Sequence, residues 1–201
     1  MISGPGLWPI LETAALGLAY ALFALVFIKF REPSTAGRVK APKIVAAGIV
    51  LQSLSYSAAW TLRRPRLEVA ARQSLGLVIT LVLVSSVLAF ASVALTAWAK
   101  KTLGRQWGLA ARVVDGHKLV TAGPFRFVRH PLYLGMAGLL LATVLGLSSL
   151  FGAALAFLLF APGTIVRIHA EENLLKETFG AEFEDYRRRV SGFIPRPAKK
   201  N

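Results

Sequence analysis

Two stretches of the chain gather the residue types that can do chemistry. The first, His117-Lys118-Leu119-Val120-Thr121-Ala122-Gly123-Pro124-Phe125-Arg126-Phe127-Val128-Arg129-His130-Pro131-Leu132-Tyr133, ends where a long apolar run begins. Pro131 suits the first turn of a helix, where its missing N–H costs no hydrogen bond, so Arg129 and His130 fall at a helix mouth. The second stretch, Arg167-Ile168-His169-Ala170-Glu171-Glu172, follows directly on another apolar run. Arg167 and Glu171 are four apart and share a helical face. Plain readings stay open for both: Arg126 and Arg129 as topology signals, His130 as a helix-start residue, Arg167 with Glu171 as an ordinary ion pair. Against these stands location, because ionisable groups at the end of an apolar span are costly and often functional. One arginine and one carboxylate beside an apolar interior suit an amphiphile with an anionic head and a cofactor that carries a cation.

Other chemistries find little support. The histidines His117, His130 and His169 lack the HxxxH or HExxH spacing of a metal site, and no cysteine occurs, so no metal is expected. No GxGxxG follows a strand, and neither a G-x-S-x-G elbow nor a phosphate-binding loop is present.

The elements that position these residues are membrane helices. The chain is 55% hydrophobic and only 17% charged, with a mean hydropathy of +0.56, which fits a soluble globule badly. A bilayer core about 30 Å thick takes about 20 apolar residues, and charge-poor runs place spans over 7–28, 44–62 and 73–99. The run from Leu132 to Val166 would make a helix of about 52 Å, too long for one crossing. It reads as a hairpin of two spans, 131–147 and 149–166, with its corner at Gly146-Leu147-Ser148-Ser149. The expected fold is thus an all-α integral membrane protein of about five transmembrane helices, the last two a hairpin, in a single membrane domain over 1–201. Residues 100–131 form a cytosolic loop and 167–201 a tail on the same face. Within the tail Leu175, Phe179, Phe183, Tyr186 and Val190 share one helical face, the mark of an amphipathic helix lying on the membrane or against the last spans. Residues 1–11 lack the positive start of a secretory signal.

With 24 Lys+Arg against 10 Asp+Glu the formal charge is +14. In a soluble chain that excess would suggest nucleic acid; between apolar runs it suggests anionic lipid headgroups, with Arg187-Arg188-Arg189, Lys199 and Lys200 facing them. With five spans, every basic residue except Arg63, Arg64, Arg66 and Arg72 shares one side. The positive-inside rule then sets the N-terminus out and the C-terminus in the cytoplasm.

The ordered string LGRQW (103–107), HKLVTAGPFRFVRHPLYLG (117–135), RIHAEE (167–172) and FGAEFEDYRRRVSGFIP (179–195) resembles the isoprenylcysteine carboxyl methyltransferase family. That family lies within a wider set of small membrane methyltransferases that includes phospholipid methyltransferases. The resemblance covers roughly the C-terminal half, and the first three spans add only architecture to it. It implies S-adenosylmethionine held by His117, Lys118, Leu119, Val120, Phe125, His130, Pro131, Leu132, Tyr133 and Glu171, with Arg167 approaching the acceptor as the catalytic residue. Arg129 and Glu172 stand beside them as a base or as supporting groups. Phe125 and Phe183 occupy positions where the family often has tyrosine, which puts a hydroxyl contact at 125 in doubt. A carboxylate acceptor is ionised at pH 7 and needs no base, whereas an amine would need one, from His130 or Glu172. Carboxyl O-methylation of a lipidic or prenylated acceptor entering from the membrane is therefore the expected reaction. A phospholipid N-methyltransferase is the alternative, and a nicotinamide-dependent membrane reductase, similar in its C-terminal part but much longer, is the more remote one. The acceptor's identity and the oligomeric state stay open.

Overall fold

The computed structural model describes residues 7–29, 43–64, 75–106 and 118–194, and among them every regular element is helical. Among the described residues six α-helices follow one another: α1 Leu7–Lys29, α2 Lys43–Thr61, α3 Leu75–Leu103, α4 Pro131–Leu147, α5 Leu150–Phe179 and α6 Ala181–Arg189. Helices α1, α2, α3 and α5 are long and apolar enough to cross a membrane, while α4 is a shorter apolar helix of 17 residues. The chain is a multi-pass membrane protein, and its outward leucines, isoleucines and valines are widely exposed along these helices, as a lipid-facing surface requires.

Local chemistry sets the helix ends. Pro131 occupies the first turn of α4, where it displaces no backbone donor. Ser149 caps α5, its hydroxyl accepting from the Gly152 N–H at 3.1 Å, which satisfies one of the donors a helix start leaves open. The break between α4 and α5 falls at Ser148-Ser149, but the two helices meet only lightly; α4 packs chiefly on α3 and α5 chiefly on α2. Packing in lipid relies on close backbone approach and interhelical hydrogen bonds, and small residues supply it. Gly135 and Gly138 of α4 press on Thr96 and Ser92 of α3, and Gly48 of α2 meets Gly163 of α5.

The C-terminal part departs from expectation in two ways. Helix α5 does not stop at residue 166 but runs unbroken for 30 residues to Phe179, so Arg167, Glu171 and Glu172 lie within it and not in a separate tail. The single amphipathic helix read through Leu175 and Val190 is interrupted at Gly180, whose φ of +52 is a backbone conformation that side chains with a Cβ resist. The chain turns there, and α6 folds back so that Phe183 and Tyr186 are buried. Spacing alone could not show this, since the helical period is kept across the break.

Candidate active site

The polar residues of both stretches meet at one end of the bundle. The loop before α4 is pinned on α3 at Gly123 (φ +58), where a Cβ would come 2.6 Å from the Thr102 hydroxyl. A tight turn over Gly123–Arg126 follows, burying Pro124 and Phe125. The loop then pairs with the segment after α6: the Arg129 N–H donates to the Ser191 carbonyl at 2.8 Å and the His130 N–H to Gly192 at 3.1 Å. The Tyr186 hydroxyl, on α6, donates to the Phe125 carbonyl at 2.7 Å. Burial pushes the Tyr186 phenol above its ordinary range, so the group stays protonated and remains a donor. Residues 181–192 thus form a strap across the loop.

Glu172 fastens the strap to α5. One of its carboxylate oxygens accepts from Arg129 Nε at 3.0 Å and Nη2 at 2.8 Å, and lies 2.8 Å from His130 Nε2. Its other oxygen is 3.7 Å from Arg187, and Arg129 also donates to the Val190 and Arg187 carbonyls. Charge-assisted hydrogen bonds of this kind are about twice as strong as neutral ones.

Beside this cluster lies a cavity of about 250 Å³. Of the residues read from the sequence as site residues, Leu119, Val120, Phe125, Arg129, His130, Pro131, Leu132, Tyr133, Arg167 and Glu171 line it. Glu172 stands behind Arg129 and His130, which it holds. Lys118 is exposed and off the cavity wall, though its backbone N–H donates to the Gln106 side chain at 2.7 Å. His117 lies outside the described residues.

The rest of the wall was not legible as a site. Phe23 and Phe27 of α1, Ile49, Gln52, Ser53 and Tyr56 of α2, and Phe183 and Tyr186 of α6 also line the cavity. The first two spans are therefore more than scaffold. Gln52 carried the one available signal, as the sole side-chain amide in its span. It accepts from Arg167 Nη1 and donates to the Thr164 hydroxyl at 2.7 Å. Arg167 itself is buried, with its guanidinium carbon 5.1 Å from the centre of the Tyr133 ring, and the Tyr133 hydroxyl is within reach of both Arg167 and Glu171.

Such a site, a mainly apolar cavity at the end of a helical membrane bundle with Arg129, Arg167 and Glu171 in its wall, suits an amphiphile with a charged head. Residues 78–177 match the isoprenylcysteine carboxyl methyltransferase (ICMT) family, and the chain belongs to that family. The matched segment holds most of α3, all of α4 and most of α5, hence Arg129, His130, Arg167, Glu171 and Glu172. Among curated relatives, the nickel-cobalt-cadmium resistance protein NccN of Alcaligenes xylosoxydans xylosoxydans is 40% identical over 103 residues, covering 47% of this chain and 45% of that protein. The probable protein-S-isoprenylcysteine O-methyltransferase of Oryza sativa subsp. indica is 32% identical over 96 residues, covering 47% of this chain and 50% of its own. The protein-S-isoprenylcysteine O-methyltransferase of Schizosaccharomyces pombe is 37% identical over 87 residues, covering 43% and 37%. The chain spans about half or less of the length of the curated relatives it matches.

Proposed function

We propose that this chain is a membrane methyltransferase that esterifies the carboxylate of a lipidic or prenylated acceptor with a methyl group from S-adenosylmethionine. The observation that carries the reading is Arg167, a buried cation in the wall of an otherwise mainly apolar cavity, within a segment of ICMT type.

The wall suits the cofactor. His130 Nδ1 is buried and has no hydrogen-bond partner among the described residues, which leaves a place for a donor from a bound molecule. The Glu171 carboxylate can accept from amino or ribose hydroxyl groups, and the rings of Phe125, Tyr133 and Tyr186 can face a cation. When bound, S-adenosylmethionine supplies an electrophilic methyl group on a positively charged sulfur. Arg167 orients the acceptor carboxylate through its planar guanidinium, and holding the reacting groups in place removes much of the entropic barrier. The apolar wall keeps water out. A reaction in which opposite charges neutralise one another is favoured in such a water-poor site, and an ionised carboxylate needs no base.

The topology follows the charges. Helix α5, at 30 residues, is about 45 Å long and exceeds a bilayer core of about 30 Å. Its end with Glu171, Glu172, Lys176 and Glu177 therefore projects from the membrane. With α4 as a fifth crossing, that end lies in the cytoplasm and the N-terminus outside, and Arg187-Arg188-Arg189 meets anionic headgroups. The acceptor enters from the membrane.

The test is a methyl-acceptor screen with labelled S-adenosylmethionine and detergent-solubilised protein. Base-labile label on a farnesylcysteine-type acceptor, lost in Arg167→Ala, is the expected result. Base-stable label on an amine lipid would overturn it in favour of N-methylation.

A further inference from the structure

Helix α2 lies outside the segment that matches the family, yet it meets Arg167 directly. A methyl group added to Gly48 would come 2.7 Å from Cγ of Arg167 and 2.8 Å from the Gly163 carbonyl, and one added to Gly163 would come 2.8 Å from the Gly48 carbonyl. Only two glycines at this crossing let the α2 and α5 backbones touch. One turn further along each helix, at 52 and 167, the same approach brings two side chains together.

Gln52 is 2% exposed, and Thr164, beside Gly163, is 4% exposed. The amide nitrogen of Gln52 donates to the Thr164 hydroxyl at 2.7 Å, and its oxygen accepts from Arg167 Nη1. The orientation of the amide is forced, because a guanidinium offers only donors while a hydroxyl can do either. Thr164 thus turns Gln52, and Gln52 turns one edge of the Arg167 guanidinium. A neutral amide does this without cancelling the positive charge, whereas a carboxylate at 52 would occupy that charge. Buried polar contacts in a membrane bundle are costly unless complete, and this one is satisfied at both of its ends.

We propose that Gln52 is a positioning residue of the acceptor site: held by Thr164, it fixes the guanidinium of Arg167 in the orientation that receives an anionic head group, and being neutral it adds no negative charge against that cation. The inference rests on the proposed role of Arg167 as the anion-binding residue.

The experiment compares Gln52→Met and Gln52→Glu with wild type and Arg167→Ala in detergent-solubilised full-length protein. S-adenosylmethionine affinity and thermal midpoint check the fold. Binding of N-acetyl-S-farnesylcysteine, together with KM and kcat for its methylation, reads the acceptor site. Gln52→Met, similar in size but without the amide, should raise the acceptor KM about tenfold, the loss of one hydrogen bond to a charged group. Gln52→Glu should cost about 100-fold or more, since its carboxylate pairs with Arg167 in competition with the acceptor. Both should leave S-adenosylmethionine affinity within about threefold of wild type. Thr164→Ser should behave as wild type, and Thr164→Val should resemble Gln52→Met. Equal losses in Gln52→Met and Gln52→Glu, or a loss of cofactor affinity along with acceptor affinity, would reduce Gln52 to a packing residue and overturn the inference. If Arg167→Ala abolishes carboxylate binding while both Gln52 variants bind as wild type, the inference falls and the proposed function stands. If wild type and Arg167→Ala bind the carboxylate probe alike, the proposed function falls and takes the inference with it.

Discussion

The bundle carries a carboxylate and an arginine at each end, and the two ends use them differently. At the end away from the cavity, Glu12 of α1 is buried and accepts from the Ser85 hydroxyl of α3 at 3.1 Å. Arg64, just after α2, donates through Nε to the Ser148 carbonyl at 2.8 Å and through Nη2 to the Leu145 carbonyl. Its backbone N–H donates to Leu147, and the Ser148 hydroxyl donates to the Ala59 carbonyl. The last carbonyls of α4, which a helix end leaves without partners, are thereby satisfied by a neighbouring side chain. The space is full: a Cβ on Gly146 would come 2.7 Å from Glu12 Oε1, and neither Glu12 nor Arg64 lines the cavity. At the other end, Arg129, His130, Arg167 and Glu171 stand in a cavity wall, with Glu172 holding two of them from behind. The same residue types close a turn in one place and leave a ligand-sized space in the other. Polar groups inside an apolar bundle are therefore not enough to mark a site; a cavity beside them is what separates the two.

Mutations at the two ends should separate into different readouts. Arg167→Ala should have the largest effect, a loss of methyl transfer of about 10²–10³-fold, the usual cost of removing one group that stabilises or orients developing charge, with the protein still folded by thermal unfolding. Residual activity within tenfold of wild type would show that the site end, too, uses its arginine for structure. Glu172→Gln should cost roughly 2–3 kcal/mol of stability, because it leaves the part-buried Arg129 guanidinium without its counter-charge, and it should weaken cofactor binding as the strap loosens. Arg64→Ala should lower stability by about 1–2 kcal/mol, through carbonyls left without donors, while kcat per folded molecule stays at the wild-type value. A fall in kcat there would break the contrast. The smallest effect belongs to Tyr186→Phe, about 1 kcal/mol for one hydrogen bond, seen as a shift in thermal midpoint. Burial raises the folded-state value of the Tyr186 phenol, so the stability it contributes is complete below about pH 10, the unfolded value, and is lost as pH climbs from there. The wild-type and Phe variants should thus differ by the same amount at pH 6 and pH 9.

The legible parts of the molecule were those in which one residue type has one physical use. Pro131 announced a helix start, and Gly146-Leu147-Ser148-Ser149 announced a helix break, because a glycine and two serines interrupt an otherwise aliphatic run. Arg167, Glu171, Arg129 and His130 stood out because charge beside an apolar span needs a reason. What stayed hidden depends on which helices touch. Phe23 and Tyr56 are ordinary residues in an apolar span, and nothing in their spacing says that they face a cavity and not lipid. Gly180 was hidden by the pattern it interrupts, since Leu175, Phe179, Phe183 and Tyr186 keep a helical period while the backbone turns between the second and third. Gln52 lies between these cases: an amide in an apolar span signals a polar partner, but only the Gly48 and Gly163 crossing says which.

The strap also fixes an order of events during synthesis. The backbone of Arg129 and His130, at the mouth of the site, pairs with Ser191 and Gly192, about sixty residues later in the chain. A growing chain can place α1 to α5 in the membrane before that segment has left the ribosome, but it cannot finish the site's rim. The rim of the cavity therefore closes only after residues 191 and 192 have been made, later than the helices that it covers.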